Sequence, residues 1–498
     1  KSVVFYLYYE QVLTRKKGAY TPTIYFAPSQ RVEDVTVSLL VKETESLVFA
    51  KLEAVPGSAL PDQALHSGAA VLVHEESSNN ALVSYSSGSD PLYRASRASP
   101  RTGDKFAFSY DVERLPDGGE LQVSGDHFVL YFAPEGLPGL SKHTVFVLDI
   151  SGSMEQGGKL AHLKDAMEAI LNDFKHDDSF QIIVFSSDVR SLGVFKAHGR
   201  ELRQGIQKIR HLDAYGATNI NEALLTGLRD MNAHAGQQHA RQMVFLTDGN
   251  PTVDERNTDV IRRNVREANT RRYPIFALAF GPDAELRFLR QISSDNNGFA
   301  RRITNKGSAA EQIKDFFDEV SSPLLTDINI QFPISQVNQS SLIKLGPNTY
   351  YNGDEVVYAG ELAEGATEVE PSVSGVGRDG PLELILSRRH KAPATPPNPD
   401  LKRVWAYLAV QDLLSSQEVV EDENLRSEMR ARALHIALMN GFVTRLTSLA
   451  MFPDTSNGNP GNSSSDSNTS YYGSGSSSIR PMEAINEPFR PAHPIHPH

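Results

Sequence analysis

No cysteine occurs anywhere in the 498 residues. That excludes a disulfide framework, a thiolate metal centre and a cysteine nucleophile, and with them any small disulfide-dependent inhibitor module within this chain. Tryptophan occurs once, at Trp405. No apolar run is long enough to span a bilayer, and no signal peptide is visible. Positive charge is in deficit, with 49 basic residues against 61 acidic ones and a net charge of −12. Such a balance disfavours nonspecific nucleic-acid binding, which depends on neutralising phosphates. What remains is an ordinary globular composition, 40% hydrophobic and 22% charged, in a chain long enough for two or three domains.

The most informative stretch is Asp149-Ile150-Ser151-Gly152-Ser153, directly after the apolar run Thr144-Val145-Phe146-Val147-Leu148. It puts one carboxylate and two hydroxyls on the loop after a buried strand, where open α/β sheets bind their ligands. Thr218 lies in Gly216-Ala217-Thr218-Asn219-Ile220, and Asp248 ends a second apolar run, Met243-Val244-Phe245-Leu246-Thr247. Five oxygen side chains from three loops suit a hard divalent cation, Mg²⁺ or else Mn²⁺ or Ca²⁺. With so few carboxylates the ion stays electrophilic, and a vacant position favours a carboxylate from a partner. No histidine or glutamate at these loops is placed to act as a base for metal-activated water. Taken alone, Asp149 reads as a helix N-cap and the serines as turn residues; three correctly placed elements, each following an apolar run, weigh against that.

The five residues resemble the complete metal-ion-dependent adhesion site (MIDAS) of von Willebrand factor type A domains. That resemblance implies a doubly wound sheet of mostly parallel strands flanked by helices. The local pattern agrees independently: strand-like runs at 144–150, 181–187, 241–248 and 274–281 alternate with helical segments near 157–174, 199–210, 219–231 and 257–270. Further stretches are similar to the inter-alpha-trypsin inhibitor heavy chain family: Tyr110 to Arg114, Phe128 to Pro134, Gly216 to Asn221, Leu246 to Thr252, Asn264 to Ala268, Ala300 to Ile303, Arg403 to Leu408 and Phe442 to Ser448. Tyr9 to Leu13, followed by Arg15, Gly18 and Tyr20, resembles the latter part of the VIT domain that precedes the type A domain in that family. The resemblance runs from about residue 3 to about residue 452, and implies that Lys1 lies inside a VIT-like domain of a fragment or processed product.

The resemblance further implies a secreted, non-enzymatic extracellular glycoprotein. Its expected roles are metal-dependent binding of an acidic protein ligand, extracellular-matrix and hyaluronan association, and membership of serine protease inhibitor complexes. Two departures bear on this. Arg445 stands where the family has proline, which makes that turn less rigid. The chain ends His493-Pro494-Ile495-His496-Pro497-His498 without the Asp-Pro-His-Phe motif through which the family's heavy chains are attached to hyaluronan, so covalent transfer is not expected of this sequence. The alternative is a circulating scaffold or protease modulator in which the metal site is structural.

The expected organisation has five parts. Residues 1–132 form a β-rich segment, with strands at 3–9, 35–41, 104–110 and 127–132 and turns at 77–80 and 85–89. Residues 142–321 form the type A domain, with a last helix from Ser308 to Val320. Residues 324–390 form a second β-rich segment, packed with the first so that the type A domain is an insertion; insertion is easy where termini lie close together. A proline-rich linker at 392–399 leads to a helical segment at 400–452, whose apolar faces carry Val404, Leu408 and Leu414, then Leu425, Met429, Ala433 and Ile436, with Trp405 as a core anchor. Residues 453–498 form a disordered Ser/Gly/Asn-rich tail, its His-Pro end a minor candidate for a transition metal.

Other candidate sites are fewer. Sequons at Asn338, Asn462 and Asn468 are compatible with secretion. Basic pairs at Arg15-Lys16-Lys17, Arg262-Arg263, Arg271-Arg272 and Arg301-Arg302 read singly as solvated faces, and jointly as a patch for an anionic glycosaminoglycan. A phosphotransferase of the dehalogenase type needs a second Asp two residues after Asp149; Ser151 stands there, with no pKa suited to acid catalysis. No Gly-x-Ser-x-Gly elbow or catalytic triad order stands out.

Overall fold

The computed structural model describes residues 11–26, 36–43, 45–52, 70–74, 78–86, 104–114, 118–233, 240–281, 284–304, 308–384, 386, 400–451 and 479–483. The strand expected at 3–9, the linker at 392–399, the sequons at Asn462 and Asn468 and the His-Pro end lie outside these residues. The chain divides into two compact units, Lys1–Asn398 and Pro399–His498.

In the first unit, Thr23–Phe26 (β1), Thr36–Lys42 (β2), Leu47–Leu52 (β3), Ala70–His74 (β4), Asn80–Ser86 (β5) and Asp104–Val112 (β6) form two antiparallel sheets, ordered β1-β6-β3 and β2-β5-β4. Their common core holds Leu47, Ala81, Val83, Phe108 and Tyr110. Of the turns expected at 77–80 and 85–89, Ser78 and Asn79 lie outside any strand, whereas Asn80, Tyr85 and Ser86 belong to β5, which pairs with β2 and β4; residues 77 and 87–89 lie outside the described residues. Flanking strands on both edges outweigh the local turn preference of Ser and Asn. Gly119–Ser124 (β7) and His127–Phe132 (β8) follow as a hairpin.

An α/β domain comes next. Its strands are Lys142–Asp149 (β9), Ser179–Phe185 (β10), Val189–Lys196 (β11), Ala240–Thr247 (β12), Ile275–Phe280 (β13) and Ala300–Ile303 (β14), ordered β11-β10-β9-β12-β13-β14. Only β11 is antiparallel. The helices are Lys159–Asn172 (α1), Gly199–Arg210 (α2), Ile220–Ala233 (α3), Thr258–Ala268 (α4), Leu286–Asp295 (α5) and Ala309–Glu319 (α6). Strand residues alternate between faces, and here both faces are apolar, as a doubly covered sheet requires. Phe146 and Leu148 meet Leu163, Ile170, Ile209 and Phe316 from α1, α2 and α6. Val145 and Val147 meet Leu224, Leu228, Ile261 and Leu289 from α3, α4 and α5.

The strand order positions the site. From β9 the chain moves outward to β10 on one side, and from β12 to β13 on the other. The carboxyl ends of β9 and β12 therefore flank the topological switch point, where crossovers leave in opposite directions and a crevice opens. Asp149 is the last residue of β9, and Asp248 follows the last residue of β12.

The chain then returns through Pro323–Gln331 (β15), Ile343–Leu345 (β16), Tyr350–Tyr351 (β17), Val356–Glu361 (β18), Ser372–Gly377 (β19) and Gly380–Leu384 (β20). These complete two four-stranded sheets, β16-β18-β8-β7 and β17-β15-β19-β20. Strand β18 lies antiparallel to β8, Val356 opposite Phe132 and Glu361 opposite His127. Phe128, Leu130 and Phe132 share one core with Leu325, Ile330, Tyr350 and Tyr358. Strands from before and after the α/β domain thus belong to one sheet, and the domain is inserted between them.

A buried polar network ties the start of the chain to this region. Arg15 donates to both Asp111 oxygens, the shortest bond being 2.6 Å, and Arg114 also pairs with Asp111. The Tyr20 hydroxyl donates to Glu355 at 2.8 Å and the Gly18 N–H donates to the Gly353 carbonyl at 2.9 Å. Burial, then the nearby Glu319 carboxylate, pushes Asp354 up to about 7, against the pull of Lys16 and Arg15. A carboxyl raised on folding contributes stability that is full below its unfolded value of about 4 and is lost as pH rises through its folded value. Between pH 5 and 8 the melting temperature is therefore expected to fall by about 2–4 °C more in the wild type than in Asp354→Asn. Parallel thermal melts across that range check this; equal slopes would contradict it.

The second unit is a helical hairpin, Leu401–Val419 (α7) and Glu423–Met439 (α8), capped at Asp400 and Asp422. Its core holds Ala406, Val410, Leu414, Ala433, Ala437, Phe442 and Leu446, with Trp405 only partly buried at the margin. Of the expected faces, Leu408, Leu414 and Ala433 are buried and Ile436 packs against the core, but Leu425 is 46% exposed. Arg445, at the position expected to be a looser turn, ion-pairs with Glu418 and donates to the Leu414 carbonyl at 3.1 Å. Within the range read as a disordered tail, Ile479–Glu483 (β22) pairs antiparallel with Thr447–Met451 (β21); this short stretch carries Ile479 and Met482, unlike the Ser/Gly-rich sequence before it.

Candidate metal centre

Asp149 is fully buried. Its Oδ1 accepts the Ser151 N–H at 2.8 Å and its Oδ2 accepts the Thr247 hydroxyl at 2.6 Å. The first bond closes a turn two residues long and folds the loop back, so that Ser151 Oγ lies 3.1 Å from Ser153 Oγ. The Ser153 hydroxyl donates to Asp248 Oδ1 at 2.7 Å. On the remaining oxygen, Oδ2, the Lys159 ammonium donates at 2.6 Å.

Thr218 stands on the third loop. Its N–H donates to Thr252 Oγ1 at 2.8 Å, and the Thr252 N–H returns to the Thr218 carbonyl at 3.0 Å. Gly152 N–H reaches the Gly216 carbonyl at 3.0 Å and Tyr215 N–H reaches the Ile150 carbonyl at 2.8 Å. Main-chain bonds thus stitch residues 149–153 to 215–218, and 218 to 252. Gly216 has φ +76°, and a Cβ there would lie 2.8 Å from Ser187 Oγ, so the turn that presents Thr218 calls for glycine.

The electrostatics are uneven. Burial pushes the Asp149 carboxyl up to about 6, the bonds from Ser151 and Thr247 pull it down, and the like charge of Asp248 pushes it up again. The basic side chain at the centre, Lys159, faces Asp248 instead. Asp149 is thus a desolvated carboxylate met by hydroxyls and a second carboxylate, an arrangement that a cation would relieve. The donor set of two carboxylates and three hydroxyls suits a hard divalent ion. Among the described residues there is no cluster of three or more His, Cys, Asp or Glu that could hold a metal; the hydroxyls make up the difference here.

The structure brings Asp149, Ser151, Ser153 and Asp248 into one hydrogen-bonded chain and ties the Thr218 loop to both flanking loops. Sequence reading missed Thr247, Thr252 and Lys159. The signal for Lys159 was its place after Gly157-Gly158, which have φ of +63° and +69° and turn the chain so that the first residue of α1 points back at the loops. Elsewhere, the Asn338 amide nitrogen donates to Glu361 at 3.0 Å, so glycosylation there requires that bond to open. Two of the basic clusters meet: Lys16 and Arg301 both pair with Glu319, and Lys17 and Arg301 both pair with Asp315. Their charges are met by carboxylates there, as are those of Arg15 by Asp111 and Arg262 by Asp295, while Arg302 donates to the carbonyls of Gly281 and Ala284.

A doubly wound sheet with these loops at its switch point defines a protein built around a von Willebrand factor type A domain, and that family matches residues 144–319. Two curated relatives extend the comparison. The chain is 32% identical to inter-alpha-trypsin inhibitor heavy chain H3 of Pongo abelii, over 90% of this chain and 52% of that protein. It is 32% identical to heavy chain H6 of Homo sapiens, over 90% of this chain and 36% of that protein. Along that span the chain belongs to the inter-alpha-trypsin inhibitor heavy chain family; it covers about half or less of the length of these relatives. Among solved structures, a von Willebrand factor type A protein from Catenulispora acidiphila is 16% identical, with TM-score 0.46, covering 66% of this chain and 85% of that one. No described helix is long and apolar enough to cross a membrane.

Proposed function

We infer that this is a non-enzymatic extracellular binding protein whose type A domain holds a divalent cation and uses it to grip an acidic side chain of a partner protein. Asp149, Ser151, Ser153, Thr218 and Asp248 would hold the ion, directly or through water. Mg²⁺ is the first choice, with Mn²⁺ and Ca²⁺ as oxygen-compatible substitutes. The observation that carries this reading is the buried Asp149, desolvated and facing hydroxyls at a switch-point crevice. When bound, such an ion supplies an electrophilic position that a carboxylate can complete. The groups closest to the two carboxylates are hydroxyls and an ammonium, which favours recognition over hydrolysis.

The names of the relatives point to association with a protease-inhibitor subunit, and the family resemblance points to hyaluronan and the extracellular matrix. A second reading has its own support. Full burial of Asp149 and its bond to Thr247 suit an ion that mainly locks the three loops together, in a scaffold whose partner surface lies elsewhere. Retention of the chain on immobilised aspartate-containing peptides separates the two. Retention in Mg²⁺ that is released by EDTA supports the adhesive reading. Retention that persists in EDTA, or none at all from a chain that binds Mg²⁺, supports the scaffold.

A further inference from the structure

Lys159 is the unexplained member of the site. It is the first residue of α1, its side chain is only 15% exposed, and its ammonium lies 2.6 Å from Asp248. The route of the side chain is prepared by the fold. Gly157 and Gly158 turn the chain ahead of it, and Gly281, with φ +88°, leaves the space it crosses: a Cβ there would lie 3.6 Å from Lys159 Cε. Lys159 and Ser153 together engage both oxygens of Asp248.

Charge arithmetic gives this contact a consequence. Two carboxylates and one ammonium leave the site at −1; without the ammonium it stands at −2. Adding a divalent ion brings these to +1 and 0. We propose that Lys159 is a built-in counter-charge that loosens the site's hold on its divalent ion and keeps the loaded site cationic, so that it attracts a carboxylate from the partner. The inference rests on the metal-binding reading above. It gives one residue opposite effects on the two ligands, which a merely structural lysine would not have.

The test is calorimetric, on the whole chain, with Mg²⁺ and then acetate as the probes. In Lys159→Met, Mg²⁺ is expected to bind about tenfold more tightly, and acetate about tenfold more weakly to the Mg²⁺-saturated protein. Lys159→Arg, which keeps the charge, should stay within about threefold of the wild type on both. Lys159→Gln serves as the neutral variant if the methionine variant does not fold. Unchanged or weakened Mg²⁺ binding in a folded neutral variant would overturn the proposal while leaving the metal site intact. A wild type that binds no Mg²⁺ would instead overturn the metal-binding reading, and this inference with it.

Discussion

Replacing Gly298 by alanine is expected to destabilise the type A domain by about 3 kcal/mol or more, lowering the melting temperature by about 6–12 °C. A Cβ at this position would lie 2.0 Å from the Ile275 carbonyl oxygen and 2.6 Å from its carbon. These are backbone atoms, and neither side can yield. Gly298 N–H is bonded to the Ser293 carbonyl at 2.9 Å, Ile275 N–H to the Asn296 carbonyl at 3.0 Å and Ala277 N–H to the Phe299 carbonyl at 3.1 Å. Relieving the clash pulls the turn that leads into β14 away from β13 and disrupts that ladder at the edge of the sheet. A thermal melt of the whole chain checks this, and a loss below about 2 °C would contradict it.

The second large effect concerns the site. Asp149→Asn is expected to remove the stabilisation that Mg²⁺ confers, with little change in the metal-free melting temperature at pH 7. A ligand that binds only the folded state stabilises it by about 2.7 kcal/mol at a hundred times its dissociation constant. The asparagine keeps an acceptor for the Ser151 N–H, and the Thr247 hydroxyl can turn to face an amide, so both bonds to residue 149 have a replacement. What it removes is a buried negative charge whose carboxyl is already pushed up to about 6. The fold thus loses a desolvated charge, and a bound cation would lose one of the two carboxylates that hold it. Melts of both chains with Mg²⁺ and with EDTA separate these effects. A Mg²⁺-dependent shift that survives in the variant would place the ion elsewhere.

The parts of this architecture that were legible in the sequence are those set by local periodicity. Thr144 to Leu148 marked β9 because both faces of that strand are covered, and α2 has the bounds that its own pattern indicates, 199–210. Strand β11 was not foreseen: it is an antiparallel edge strand whose Arg190 and Ser191 are exposed and whose pattern is too polar to stand out. Helix α5 was missed because only ten residues carry its signal. At the site, Asp149, Ser151, Ser153, Thr218 and Asp248 were legible because each sits on a loop at or just after a recognisable motif. Lys159 and Thr247 were not, since their roles arise from pairing: Thr247 lies 98 positions from Asp149, and the partner a side chain finds across a sheet depends on strand order, which no local pattern encodes.

Direct titration of Mg²⁺ into the wild-type chain by calorimetry tests the central claim, with Asp149→Asn as the control. The account predicts one saturable site per chain in the wild type and none in the variant, with indistinguishable circular dichroism spectra for the two. Absence of binding in the folded wild type, or equal binding in both chains, would contradict it.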